Sequence, residues 1–242
     1  MSAPLFLVEA LPDGDVLRLD GPEGHHAATV QRLRVGERLR LCDGRGGTAS
    51  AVVTAAGRGS LDVHIEERGY AAAPDPRLVV VQGVAKGDRG ELAVQARTEV
   101  GVDAIVPWAA SRSVVEWHGG RGERSRQRWI DTAREAAKQA RRAWLPPVAD
   151  VESTRQVCER SAGAALCAVL HEEATMPLAT VELPSTGEVV LIIGPEGGIT
   201  PDELSAFEKA GATPVRLGAN VLRTSTAGVA ALSVLSVRLG RW

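Results

Sequence analysis

The sequence predicts an α/β layer domain preceded by a small antiparallel β-barrel. Up to about residue 70, short apolar runs alternate with Gly, Pro and Asp, the spacing of a small barrel or sandwich. After a Pro- and Ala-rich break, Leu78–Val84 is a continuous, largely β-branched run followed by helical and then strand periodicity, which is a βαβ unit with a strand buried on both faces. Near the end of the chain, two further apolar runs each lead straight into glycine: Leu191–Ile193 into Gly194-Pro195-Glu196-Gly197-Gly198, and Pro214–Leu217 into Gly218. The expected organisation is therefore a barrel over 1–70, a linker over 71–76 and an α/β domain over 77–242.

Composition narrows the functional classes. With 44% hydrophobic residues the 242-residue chain can bury a full core, and a formal charge of −2 means that any nucleic-acid surface must be local. Cys42, Cys158 and Cys167 are odd in number and outside any C-x-x-C pattern, which argues against a disulfide framework and against a zinc site. Neither a leader-like start nor a bilayer-length apolar window is present, so a cytoplasmic protein is expected.

In the first third, strands are expected at Leu5–Val8, Val16–Leu19, Arg38–Cys42, Thr48–Thr54 and Leu61–Ile65, with a helix starting near Gly24. Between Val30 and Arg45 five arginines face only Glu37 and Asp43, making Arg32 and Arg34 candidate RNA contacts. His25 and His26 are too few for a metal site, and a turn or capping role suits them better.

Beyond the linker, a helix over Glu91–Val100 stops at Gly101, and Ala104–Pro107 is the next strand. Arg112–Arg142 holds nine Lys/Arg against four acidic residues. A helix is expected over Arg124–Ala143, with Trp129, Ile130, Ala133, Ala136, Ala137 and Ala140 on its apolar face, the arginines opposite, and Pro146-Pro147 as the stop. Arg112, Arg124, Arg128 and Arg142 are accordingly candidate RNA contacts, with Lys86 and Arg89 beside the first strand end. A helix near Val157 and a buried strand over Ala164–Leu170, ending at His171-Glu172-Glu173, follow.

Thr200-Pro201-Asp202-Glu203 combines a Thr N-cap, a first-turn proline and the Glu of a capping box, so a helix begins there and ends near Gly211. After Gly218, Val221-Leu222-Arg223-Thr224-Ser225-Thr226-Ala227 opens a final apolar helix to about Leu239. Two glycine loops at strand ends suit close approach of a ligand to backbone N–H groups. A Rossmann nucleotide site is disfavoured, since Gly83-Val84-Ala85-Lys86-Gly87-Asp88 lacks the G-x-G-x-x-G spacing. An RNA-binding module without catalysis shares the barrel and basic helix but has no use for a cofactor pocket.

The three elements Gly194–Gly198, Leu217-Gly218 and Leu222-Arg223-Thr224-x-Thr226-Ala227, in this order, resemble the C-terminal signature of the SPOUT methyltransferases. In particular they resemble the bacterial family that methylates N3 of a uridine in 16S ribosomal RNA. The run His25–Glu37 with Asp43-Gly44 is similar to that family's N-terminal PUA-like domain, and Lys86–Arg89 and Thr98–Val102 match its pattern as well. The resemblance implies a PUA-like barrel followed by a SPOUT-type α/β domain with a deep trefoil knot, where periodicity alone gives an ordinary doubly wound sheet.

It further implies S-adenosyl-L-methionine as cofactor, held by Leu170, His171, Glu172, Gly194–Gly198, Leu217, Gly218, Leu222, Arg223, Thr224, Thr226 and Ala227. It also implies 16S ribosomal RNA within the small subunit as partner, and a homodimer paired through the last helix. Methyl transfer to an imide nitrogen needs a cation beside the oxygens that gain charge, and Arg223 is the candidate. Ser225 stands where family members commonly carry Glu, which leaves Glu196 as a candidate base, alternatively a structural acceptor of backbone N–H groups.

Overall fold

The computed structural model describes residues 3–242, which divide into two units: one of residues up to Ala73 with Ala137–Leu145, the other of Pro74–Ala136 with Pro146–Trp242. The division falls inside the expected linker, but the return of Ala137–Leu145 to the first unit does not follow a contiguous boundary.

In the first unit, β1 (Leu5–Leu7), β2 (Val16–Leu19), α1 (Gly21–His25) with a π-helical turn (His26–Val30), β3 (Arg38–Cys42), β4 (Gly47–Gly57) and β5 (Ser60–Tyr70) follow in order. They form one sheet ordered β1-β3-β4-β5-β2, antiparallel except for the β1–β3 pair. Ala49, Ala51 and Val53 on β4 and Leu61, Val63 and Ile65 on the adjacent β5 are buried in one cluster, the period of two that puts alternate residues inside. Register shifts after Ser50 and Val53 bend the β4–β5 pair. Both strands run longer than expected because Gly59, at φ +75°, closes a tight hairpin between them. Lys138 and Glu23 form an ion pair at 2.8 Å with both side chains about nine-tenths covered, and Trp144 Nε1 donates to the Ala71 carbonyl.

The second unit contains β6 (Arg77–Gly83), α2 (Arg89–Glu99), β7 (Ala104–Ala109), most of α3 (Gly119–Gln139), β8 (Glu152–Ser153) and α4 (Thr154–Gly163). It continues with β9 (Leu166–Leu170), β10 (Glu188–Ile193), α5 (Pro201–Lys209), β11 (Thr213–Val215) and α6 (Thr224–Arg238). The six strands are all parallel, ordered β11-β9-β10-β6-β7-β8. Leu78, Val80 and Leu191 pack on one face with Trp129, Leu232 and Leu235; Val79, Val81 and Ile192 pack on the other with Trp108 and Phe207. Burial on both faces is why these strands are continuous apolar runs. β10, laid down late, lies between β6 and β9, so the last third of the chain enters the middle of a sheet already begun.

α3 begins at Gly119 and ends at Gln139, earlier at both ends than the expected Arg124–Ala143. Its stop is Arg141 in the left-handed region, φ +56°, and not Pro146-Pro147. Trp129, Ala133, Ala136 and Ala137 are buried as the periodicity required, while Ala140 lies beyond the helix and is exposed. Two of the helix cations serve the fold: Arg126 donates to the Val148 and Ala149 carbonyls, and Lys138 is committed to Glu23.

The capping box of α5 forms as expected, and Glu203 does more than close it. The buried carboxylate accepts the Ser111 N–H at 2.7 Å as well as the Thr200 N–H and hydroxyl at 2.9 Å. Burial raises its pKa, but these donors outweigh burial and hold it below the ordinary 4.5. A carboxylate depressed on folding stabilises fully above its unfolded pKa and loses that contribution as pH falls through the folded value. Denaturant titrations should therefore show stability falling below about pH 4.5 in the wild type, and Glu203→Gln should be less stable by about 2 kcal/mol at neutral pH with a flatter acid limb. An equally steep acid limb in the variant would contradict this role.

Candidate active site

Because all strands of the second unit are parallel, their C-terminal ends share one edge, where open α/β sheets place ligands. A cavity of about 400 Å³ opens there. Its walls come from three strand ends and one helix start: Leu170, His171 and Glu172 after β9; Gly194, Pro195, Glu196 and Gly198 after β10; Leu217 to Leu222 after β11; and Arg223, Thr224 and Ala227 at α6. Ile193 and Val215 add apolar floor. Of the residues expected to hold a cofactor, Gly197 and Thr226 lie outside this lining. Gly197 is turned under Arg112, where an added Cβ would stand 2.8 Å from the Arg112 carbonyl oxygen. Thr226 is exposed and its hydroxyl donates to the Arg223 carbonyl.

Close packing beneath the cavity explains the glycine at the end of β6. A Cβ on Gly83 would sit 2.6 Å from the Pro195 nitrogen, so only glycine lets the 194–198 loop cross there. The loop is then tied to the C-terminal helix by Thr224, whose hydroxyl donates to the Gly194 carbonyl at 2.7 Å and accepts from Gln82 Nε2 at 2.8 Å. Arg97, fully buried on α2, donates from Nη2 to the Thr224 carbonyl at 2.8 Å. Its Nε and Nη1 meet no partner among the described residues, and burial pushes its pKa down to about 9. Gly228 makes room for it, since a Cβ there would stand 2.1 Å from Arg97 Nε. Three chain segments distant in sequence are thus laced at Thr224.

Gln82, Gly83, Arg97 and Gly228 carry this arrangement and sequence reasoning did not single them out. A polar residue inside the run Leu78–Gly83 was the one available signal.

Arg223, the N-cap of α6, lines the cavity and is exposed, and its guanidinium forms no hydrogen bond or ion pair among the described residues. Glu196 is engaged: one oxygen accepts the Lys86 N–H at 3.2 Å and pairs with Arg89 at 3.4 Å. His171 Nδ1 accepts the Glu173 N–H within its own turn. Arg112 reaches the Gly197 carbonyl at 3.3 Å, so Lys86, Arg89 and Arg112 gather around the same loop. Arg124 and Arg128 are exposed on α3, Arg128 in contact with Glu91, while Arg32 and Arg34 are exposed on the first unit. Arg142 lies past the end of α3 and belongs to the first unit. No group of three or more potential metal ligands occurs among the described residues, and no helix among them is long and apolar enough to cross a membrane.

An all-parallel sheet with a late-inserted strand, a glycine-walled cavity at its C-terminal edge and a preceding barrel define a SPOUT-type RNA methyltransferase with a PUA-like domain. Residues 73–236 match the RNA methyltransferase domain family and residues 19–66 the RNA methyltransferase PUA domain. The chain belongs to the family of ribosomal RNA small subunit methyltransferase E. It is 47% identical to the Mycobacterium tuberculosis member, over all of this chain and 94% of that one, and 29% identical to the Bacillus subtilis member, over 94% and 92%. The Neisseria gonorrhoeae member, solved bound to S-adenosyl methionine, superposes with a TM-score of 0.87 at 27% identity over 98% of each chain.

Proposed function

We propose that this chain binds S-adenosylmethionine in the strand-end cavity and methylates N3 of a uridine in 16S ribosomal RNA. The observation that carries the reading is the unpaired guanidinium of Arg223 at the mouth of a cavity walled by glycine loops. The residues present fit the cofactor: the amides of Leu217, Gly218 and Leu222 make no hydrogen bond among the described residues, and Ile193 and Val215 offer an apolar floor. When bound, S-adenosylmethionine supplies a methyl group activated by a sulfonium.

The chain's own part is alignment and charge. The uridine imide becomes nucleophilic as its proton passes to solvent water and negative charge spreads onto O2 and O4, where the two forked donors of Arg223 stabilise it. Glu196 is assigned to holding the Lys86–Arg89 turn, because its oxygen already carries that N–H and that guanidinium. Methylation of another RNA nucleotide, or RNA binding without catalysis, is the alternative; primer extension on small-subunit RNA separates them.

Gly218 is the sharper probe of cofactor binding than Gly197, because it lines the cavity and an added Cβ there meets nothing within 4 Å. By calorimetry, Gly218→Val should lose S-adenosylmethionine affinity by at least about tenfold with thermal stability retained, as bulk filling a preformed pocket does. Undiminished affinity would remove the cavity from consideration.

The RNA path is assigned to Arg124 and Arg128, exposed on α3, and to the half-buried Arg142 beyond its end. Replacing Arg124, Arg128 and Arg142 by Ala should weaken RNA binding and reduce its salt slope by about one unit per lost phosphate contact, with cofactor affinity unchanged. An unchanged slope would confine the path to the barrel. We further assign the protein to the cytoplasm as a homodimer paired through α6, where Val237 is 61% exposed and Val221 and Leu222 stand out from the adjoining loop.

A further inference from the structure

We propose that a second cavity on the same sheet edge receives the base of a guanine nucleotide flanking the methylated one; this rests on the reading of the chain as an RNA methyltransferase. The cavity, of about 300 Å³, lies beyond the C-terminal ends of β6 and β7, lined by Gly87, Asp88 and Glu91 on one side and by Trp117, Ser125 and Arg128 on the other. That volume is at the lower end of what small-ligand pockets offer. One turn separates it from the cofactor cavity: Arg89 lines the first cavity, Gly87 and Asp88 the second, and Glu196 clamps the turn through the Lys86 N–H. In this proposal a strand whose target base enters the first cavity places a neighbouring nucleotide at the second.

The chemistry of the lining selects a base and not a phosphate. Asp88 occupies the N-cap position of α2, yet its side chain caps nothing, and its carboxylate forms no hydrogen bond or ion pair among the described residues. Glu91 pairs with Arg128 at 3.0 Å, whereas the Asp88 carboxylate at the opening has no ion pair among the described residues. An unpaired carboxylate repels phosphate and accepts N–H donors. Guanine alone among the four bases presents two adjacent donor groups, N1–H and N2–H₂, on one edge, matching the two carboxylate oxygens as a bidentate pair. Trp117 supplies the aromatic wall: it is half-buried and held edge-on to Trp129 with ring centroids 4.8 Å apart. Unstacked bases of single-stranded RNA are held in this way, by an aromatic face and by hydrogen bonds to the Watson–Crick edge. Trp129 is fixed in turn by Gly90, where a Cβ would stand 2.9 Å from the indole ring.

The test titrates the full chain with GMP, IMP and UMP by ligand-observed NMR, then measures methyl transfer to small-subunit RNA. GMP should bind about tenfold more tightly than IMP, which lacks the 2-amino group, and than UMP; Asp88→Asn should erase that preference. Asp88→Asn and Trp117→Ala should each raise the KM for RNA about tenfold, with kcat and S-adenosylmethionine affinity within twofold of wild type. The exposed Asp88 carboxylate forms no hydrogen bond or ion pair among the described residues, so its variant reads the site even if Trp117→Ala is unstable. Equal binding of the three nucleotides, or a wild-type KM in Asp88→Asn, would overturn the inference and leave the methyltransferase reading intact. GMP selectivity in a chain that transfers no methyl group to RNA would overturn that reading and retain the subsite.

Discussion

Arg223→Ala is expected to lower methyl transfer by about two orders of magnitude or more while RNA affinity stays within a few-fold of wild type. The guanidinium lines the cavity with no hydrogen bond or ion pair among the described residues, so removing it breaks no polar contact of the folded protein. On the proposed function, what it removes is a forked donor for the uracil oxygens as they acquire charge, an interaction made in the transition state and hardly at all with the neutral base. The loss should consequently fall on kcat, corresponding to about 3 kcal/mol. Lysine should restore only part of the rate, since it offers a point charge where two parallel donors are needed. A variant that lost RNA affinity in proportion to rate would show Arg223 to be a binding group only.

The second large effect is on stability. Gly228→Ala should destabilise the protein by about 3 kcal/mol, because the new methyl group meets Arg97 Nε at 2.1 Å and the fully buried guanidinium must shift within a packed interior. In an Arg97→Ala background the same change should become neutral or stabilising. It then fills part of the vacated space and exchanges glycine for a better helix former, worth about 1 kcal/mol. Arg97→Met alone should leave stability unchanged or raise it, since it removes a buried cation with two unpartnered donor groups. Equal costs of Gly228→Ala in both backgrounds, measured by denaturant unfolding, would contradict the proposed contact.

Local grammar made much of the fold legible. The capping box at Thr200–Glu203 and the doubly buried run Leu78–Val81 are short-range patterns with one physical meaning, and both are realised. Long-range placement left no such trace. β10 between β6 and β9 depends on where the chain is laid down, and its apolar run would read the same at a sheet edge. The passage of Ala137–Leu145 into the first unit is equally silent, since the helical pattern runs unbroken through Ala136 and Ala137. At the site, the glycine loops were legible as backbone exposed at strand ends, but which glycine faces the cavity was not: Gly218 does, while Gly197 makes room for Arg112. Arg97 reads as one more polar residue on a helix, and only its burial beneath Thr224 reveals its part.

Mass spectrometry of nuclease-digested 16S ribosomal RNA, from a strain lacking this gene and from the same strain carrying either the wild type or Arg223→Ala, tests the central claim most directly. One 3-methyluridine should disappear with the gene, return with the wild type and stay absent or strongly reduced with Arg223→Ala. A full complement of 3-methyluridine in the strain without the gene would contradict the assignment.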